Sequence, residues 1–367
     1  MSGRATVRRH APGKLFIAGE YAVVEPGHPA ILVAVDRRVT VSVSHTGDAG
    51  VAVASDLWPG VVRARWAGDL LRPAGSDEQP APGAVSPVLS AVSVTGALLR
   101  ARGIRLPAIH VSVGSDLHRD GTKFGLGSSG AVTVATVTAV AASCGVRLSP
   151  EERYRLALLA TAAHDPRASG GDIAASVWGG WLAYHAPDRA AVADLAQRRG
   201  VAEALRVPWP GFGLRRLRPP RALTLQVGWT GEPASTVSLT KRLRAGTAAH
   251  RLFLDRSDAC VRGAIHALDR GAGDELRHHV RTARQVLAEL DGAMRLGIFT
   301  ERLTALCDAA EAVGAAAKPS GAGGGDCGIA LLTAGADTEI TRLHHAWVAA
   351  GVLPVPIRVE PSNGSGA

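Results

Sequence analysis

Residues 5–18 and 37–45 ("RRVTVSVSH") alternate apolar with polar positions and are rich in β-branched side chains, so both predict strands. The same signal recurs at 50–54 and 61–66. Residues 73–87, "PAGSDEQPAPGAVSP", are turn formers and predict an exposed loop. Residues 88–102 fit a helix, and "AIHVSVG" at 108–114 fits a strand. The run "AVTVATVTAVAASCG" after Gly130 is apolar on nearly every side. Its length predicts a helix buried in the core, although its β-branched content would also suit a strand. Residues 149–164 are a clearer amphipathic helix, with Ser149 as N-cap and Glu152 three residues on.

The proline-rich stretch 205–221 reads as a linker and divides the chain into expected domains 1–210 and 211–367. Beyond it the pattern predicts a strand at 222–229, several helices between 234 and 315, a strand at 328–333, a helix at 336–349 and a strand at 352–359. Strands and helices interleave with room for antiparallel pairing, which indicates an α+β class. Hydrophobic residues make up 46% of the 367 positions, enough for a packed core in each domain.

No run of 18 apolar residues occurs, so no membrane span is expected, and the N-terminus lacks the apolar stretch of a signal peptide. Cys144, Cys260, Cys307 and Cys327 form no C-x-x-C, which disfavours a zinc or disulfide framework and makes the cytoplasm the expected compartment. The net charge is +9, yet the basic residues are scattered and only 4% of the chain is aromatic. No nucleic-acid partner is expected, and the surplus cations suit a small anionic substrate. Arginine supplies 37 of the 41 basic residues, and the four lysines are Lys14, Lys123, Lys241 and Lys318. Three of the four lie in or beside glycine-rich segments. A compact ammonium and a planar guanidinium are not equivalent at a crowded phosphate site, which raises Lys14 and Lys123 as candidates and leaves Lys241 as a helix-surface residue.

The first glycine-rich segment is "APGKLFIAGEYAVVEPGHPAI", 11–31. The second, "KFGLGSSGAV" at 123–132, places Gly125, Gly127 and Gly130 at G-x-G-x-x-G spacing. A dinucleotide fingerprint would need an acid ending a second strand about 20 residues on. Glu151 stands near that distance but at a helix start. The remaining functional reading is a phosphate cradle, in which backbone N–H groups and a following helix N-terminus favour an anion. A glycine-rich strand-to-helix turn is the plainer alternative. No Walker A motif occurs. The third segment, "KPSGAGGGDCGIAL" at 318–331, puts five glycines into residues 321–328 and then enters an apolar strand.

These three segments, in this order and spacing, resemble the three motifs of the GHMP small-molecule kinases. The resemblance covers most of the chain. It implies an N-terminal α+β domain carrying the ATP phosphate loop 123–132, a C-terminal ferredoxin-like domain carrying the glycine loop 318–328, and an active site between them. In detail the chain is most similar to the phosphomevalonate kinase branch: "GEYAVVEPGHPA", Lys123-Phe124 entering the phosphate loop, "SGGD" at 169–172, "VGWTG" at 227–231, and Asp326-Cys327. The implied reaction is transfer of a phosphoryl group from ATP, with Mg²⁺, to phosphomevalonate. Gly125, Leu126, Gly127, Ser128, Ser129 and Gly130 would hold the ATP phosphates, and Ser129 would reach the metal. Lys14, Lys123, Ser169, Ser320, Gly321 and Ala322 would bind the acceptor, with His10, Arg167 and Thr236 as weaker candidates. Lys14 would be the catalytic cation, and Asp172 would orient it or the metal shell. Cys327 reads either as reactive or as a small buried residue. The protein is expected to be a monomer or homodimer.

Overall fold

The computed structural model describes residues 6–362 apart from 48–49, 57, 69, 75–82, 84, 120, 235–242 and 244–245. Two sheets organise it. The first contains β1 (Val7–Ala18), β2 (Pro29–His45), β3 (Val51–Ser55), β4 (Trp58–Ala67), β5 (Leu70–Pro73), β6 (Ile109–Ser115), β9 (Trp181–His185) and β10 (Gly213–Leu217). Their order is β10-β9-β2-β6-β3-β4-β5, with β1 antiparallel to β2. A short hairpin, β7 (His118–Arg119) with β8 (Thr122–Lys123), stands apart and leads into the phosphate loop.

The two halves of β2 show why only one was expected. Residues 39–45 are buried alternately, the period-2 signature of a strand with one covered face. Residues 29–35, "PAILVAV", are buried without a break, because β1, β9 and the helices α2 (Ser128–Ser143) and α4 (Gly171–Trp178) surround them. A strand covered on both faces loses its alternation and reads as part of a motif. β9 and β10 were likewise unannounced. β10 lies within the stretch read as a linker, beyond the 210/211 division, and pairs with β9 from Gly213 to Leu217.

α2 is a helix, as its length indicated, and nearly every residue from Gly130 to Ala141 is buried. Its threonines are tolerated there because Thr133, Thr136 and Thr138 each donate to the carbonyl four residues back, at 2.7–2.8 Å. α1 (Ser86–Ala101) and α3 (Pro150–Ala162) pack beside it, and α5 (Arg189–Ala204) follows β9. α3 begins with the expected capping box: Glu152 N donates to Ser149 Oγ at 3.1 Å, and Ser149 N donates to Glu152 Oε2 at 2.8 Å.

The second sheet contains β11 (Leu223–Trp229), β12 (Ala316–Pro319), β13 (Cys327–Thr333) and β14 (Leu353–Pro354), ordered β12-β13-β11-β14 and antiparallel throughout. That is the ferredoxin-like order. Among the described residues, the helices α6 (Ala248–Arg270), α7 (Gly273–Met294) and α8 (Glu301–Ala312) lie between β11 and β12, and α9 (Asp337–Ala349) lies between β13 and β14. The third glycine segment is the turn of the β12–β13 hairpin. The strand expected at 352–359 is reduced to two paired residues and one bridge, Val35 with Val359. Pro354 and Pro356 have no N–H to continue a ladder.

Candidate active site

Between the two sheets lies a cleft of about 640 Å³ where all three glycine-rich segments meet. The phosphate loop shows what its glycines are for. Gly127 caps α2 with φ 78°, a conformation that glycine adopts without a Cβ penalty. A Cβ on Gly127 would stand 2.9 Å from Lys14 Cγ. A Cβ on Gly130 would stand 2.5 Å from Asp172 Oδ2, and one on Gly125 would stand 2.3 Å from Asp326 Cβ. The G-x-G-x-x-G spacing therefore lets three charged residues, one against each glycine, close around the start of α2.

Lys14 is 7% exposed, and its backbone N donates to Leu126 O at 2.8 Å, which stitches β1 to the loop. Among the described residues its ammonium has one hydrogen-bond acceptor, Gly125 O at 3.3 Å, and no carboxylate within 4.0 Å. Asp172 sits in the first turn of α4, which starts from Gly170 at φ 76°, and its Oδ1 accepts from Ile173 N at 2.9 Å. Burial pushes the Asp172 carboxyl above its ordinary range, and the Lys14 charge opposes that rise. Burial raises Asp326 as well, opposed by its hydrogen bond from Ala234 N and by the charges of Lys14 and Lys123. The Lys14 charge thus acts on two carboxylates, one from each half of the chain. The N-termini of α2 and α4 both open on the same cleft, a favourable setting for an anion.

Of the residues expected at the site, Lys14, Lys123, Gly125, Gly127, Ser128, Ser129, Ser169, Asp172, Ser320, Gly321 and Ala322 line the cleft. Leu126 and Gly130 do not: Leu126 is buried in the core with its carbonyl bound by Lys14, and Gly130 lies beneath Asp172. Ser320 reaches the cleft with its hydroxyl already committed, since Oγ accepts from Phe16 N at 2.9 Å and donates to Phe16 O at 3.0 Å. Arg167 lines the cleft, whereas His10 is exposed on β1 away from it. Thr236 and Lys241 fall outside the described residues. Cys327 is fully buried, donates to Phe124 O at 2.8 Å, and has its thiol pushed far up by burial, so the reactive reading fails.

Sequence reasoning missed four residues here. Asp326 was noted only as part of a motif; as the single acid inside the third glycine run it could have been found. Glu20, Tyr21 and Lys318 form a second buried cluster at the cleft wall. Lys318 is fully buried and pairs with Glu20, itself 3% exposed. The scarcity of lysine was the available signal for Lys318.

A model of the GHMP kinases N terminal domain matches residues 89–180, and a model of the GHMP kinases C terminal matches residues 264–348. The chain is 59% identical over 365 residues to a phosphomevalonate kinase of Streptomyces sp. (strain CL190), covering 97% of this chain and 98% of that one. It is 30% identical to a mevalonate kinase of Aeropyrum pernix, over 90% of each. The solved structure of Streptococcus pneumoniae phosphomevalonate kinase in complex with phosphomevalonate and AMPPNP superposes with a TM-score of 0.83 at 26% identity, over 97% of this chain and 99% of that chain.

Proposed function

The chain belongs to the GHMP kinases, and from that membership we propose that it transfers the γ-phosphoryl group of ATP to 5-phosphomevalonate, giving ADP and 5-diphosphomevalonate. The observation that carries the acceptor is the 59% identity over nearly the whole chain to a phosphomevalonate kinase, against 30% to a mevalonate kinase. A phosphate monoester has a second pKa of about 6, so the attacking oxygen is already ionised at neutral pH and no base has to remove a proton. What opposes the reaction is repulsion between two anions.

Lys14 meets that need. The residue is largely buried and, among the described residues, its ammonium donates to a single backbone carbonyl, which leaves donors for phosphate oxygens. Held between the transferring phosphoryl group and the acceptor, it offsets charge that accumulates as they approach. Asp172 acts through its charge on Lys14 or on the metal shell rather than as base. The α2 N-terminus and the Ser128 and Ser129 hydroxyls hold the nucleotide phosphates, while Lys123, Ser169 and the backbone at Gly321–Ala322 hold the acceptor. Magnesium bound with the nucleotide would neutralise phosphate charge. Ser129 and Asp172 present hard oxygen donors beside the first turn of α2, which suits an ion that takes only one or two protein ligands.

The test is ADP release measured with phosphomevalonate, mevalonate, diphosphomevalonate, galactose and homoserine as acceptors. The highest kcat/KM is expected with phosphomevalonate. A higher value with any other acceptor overturns the assignment.

A further inference from the structure

The buried cluster of Glu20, Tyr21 and Lys318 touches no part of the phosphate loop, and the reaction above does not use it. Its contacts converge on one short piece of backbone. Lys318 Nζ pairs with Glu20 Oε1 and donates to Pro319 O at 2.6 Å. Glu20 Oε1 also accepts from Gly321 N at 3.4 Å. Tyr21 Oη donates to Ala322 O at 2.5 Å, a contact between residues 301 apart in the chain. The peptide planes before Gly321 and after Ala322 are therefore both gripped. The plane between them, with Gly321 O and Ala322 N, is left over, and the Ala322 amide donates to no acceptor among the described residues. Ser320, Gly321 and Ala322 all line the cleft.

The arrangement is maintained against its own cost. Tyr21 holds φ 62° with ψ −49°, a positive-φ conformation that a bulky residue rarely adopts and that persists only where the surroundings impose it. Glu20 Oε2 is buried without a hydrogen-bond partner among the described residues. A purely cohesive contact would be made better by two apolar side chains. Strain and an orphaned oxygen beside the cleft mark a cluster shaped by what it presents.

We propose that Glu20, Tyr21 and Lys318 are positioning residues that clamp the 320–322 turn so that the Ala322 amide is pre-set for an anionic group of the acceptor. The proposal rests on the reading of the acceptor as a small anion. It extends the site from residues that contact the acceptor to residues that set the geometry of its backbone donor. Pre-setting a donor lowers the ordering cost of binding, so the clamp acts on acceptor affinity and leaves the nucleotide side alone.

Two variants and two readouts test it. Tyr21→Phe keeps the buried ring and removes the hydroxyl. It is expected to raise the acceptor KM about tenfold and to change the ATP KM less than about twofold. It is also expected to speed amide hydrogen exchange in a peptide spanning 318–326 of the free enzyme. The double variant Glu20→Leu with Lys318→Met removes both charges together and so avoids a lone buried ion. It is expected to melt near the wild-type temperature and still show the raised acceptor KM. Wild-type acceptor KM in that folded double variant, or unchanged 318–326 exchange in Tyr21→Phe, overturns the clamp. Exchange is read without substrate, so it decides the clamp even if the wild-type enzyme prefers another acceptor, an outcome that would overturn the functional assignment alone.

Discussion

Lys14 and Lys318 are two buried lysines, each beside a glycine-rich loop, and their surroundings are opposite. Lys318 is fully buried and pairs with Glu20, so its charge is cancelled where it sits. Lys14 is 7% exposed, opens onto the cleft, and has no carboxylate within 4.0 Å among the described residues. A buried ammonium with a counter-charge is consumed by structure, whereas one held only by a carbonyl is available to an incoming anion. The two acids whose carboxyls feel the Lys14 charge, Asp172 and Asp326, are themselves raised by burial.

The sharpest way to break this contrast is to remove each ammonium in turn. Lys14→Met should lower kcat about 10²–10³-fold, the loss expected when an oriented donor at a charged transition state is removed. Its melting temperature should change by no more than a few degrees. Lys318→Met should behave in reverse. It strands the Glu20 carboxylate in the core, which costs about 3–5 kcal/mol, and urea unfolding should show that loss directly. Equal loss of stability in both variants would erase the distinction.

Lys123 offers a smaller, one-sided test. It is exposed at the cleft edge in β8, where it can contribute only a charge-assisted contact to the acceptor. Lys123→Ala should raise the acceptor KM about tenfold with less effect on ATP, and steady-state kinetics with each substrate varied separately would show it. An unchanged acceptor KM removes Lys123 from the site.

Asp172→Asn should have the smallest effect on turnover, since amide and carboxylate share a shape and the first-turn hydrogen bond. Its pH dependence carries the information. Because burial raises the folded-state pKa of Asp172, the native protein holds that proton to higher pH than the unfolded chain does. The wild type therefore loses stability as pH rises from the unfolded carboxyl pKa through the folded one. Asp172→Asn removes that loss, so it should melt above wild type at pH 7, with the gap closing in acid below the unfolded pKa. Kinetically, an ionisation near pH 6 belongs to the acceptor phosphate and should persist in both enzymes. A second ionisation that disappears only in Asp172→Asn would make Asp172 a base.

Much of this was legible beforehand where local pattern and structure share a cause. The alternating half of β2, the capping box at Ser149, and the apolar run that became α2 all follow from side-chain period or from contacts a few residues apart. Illegible elements were those whose identity depends on remote neighbours. The continuously buried half of β2 is a strand because β1 and β9 flank it. β10 is a strand, despite prolines on either side, because β9 offers an edge to pair with.

By itself the sequence determined the two-part α+β plan, the three glycine-rich segments, and the small set of lysines and acids available to a phosphate site. Tertiary structure alone decided the state of each charge. Glu20 finds Lys318 across 298 residues, Tyr21 finds Ala322 across 301, and the third glycine run brings Asp326 against Gly125. It also sealed Cys327 in the interior and tied the Ser320 hydroxyl to Phe16. The physical reason is that burial and ion pairing are set by what surrounds a group in three dimensions. A residue's type and its near neighbours in the chain carry no record of that, so a lysine that anchors a loop and a lysine that meets a phosphate look the same until the chain has folded.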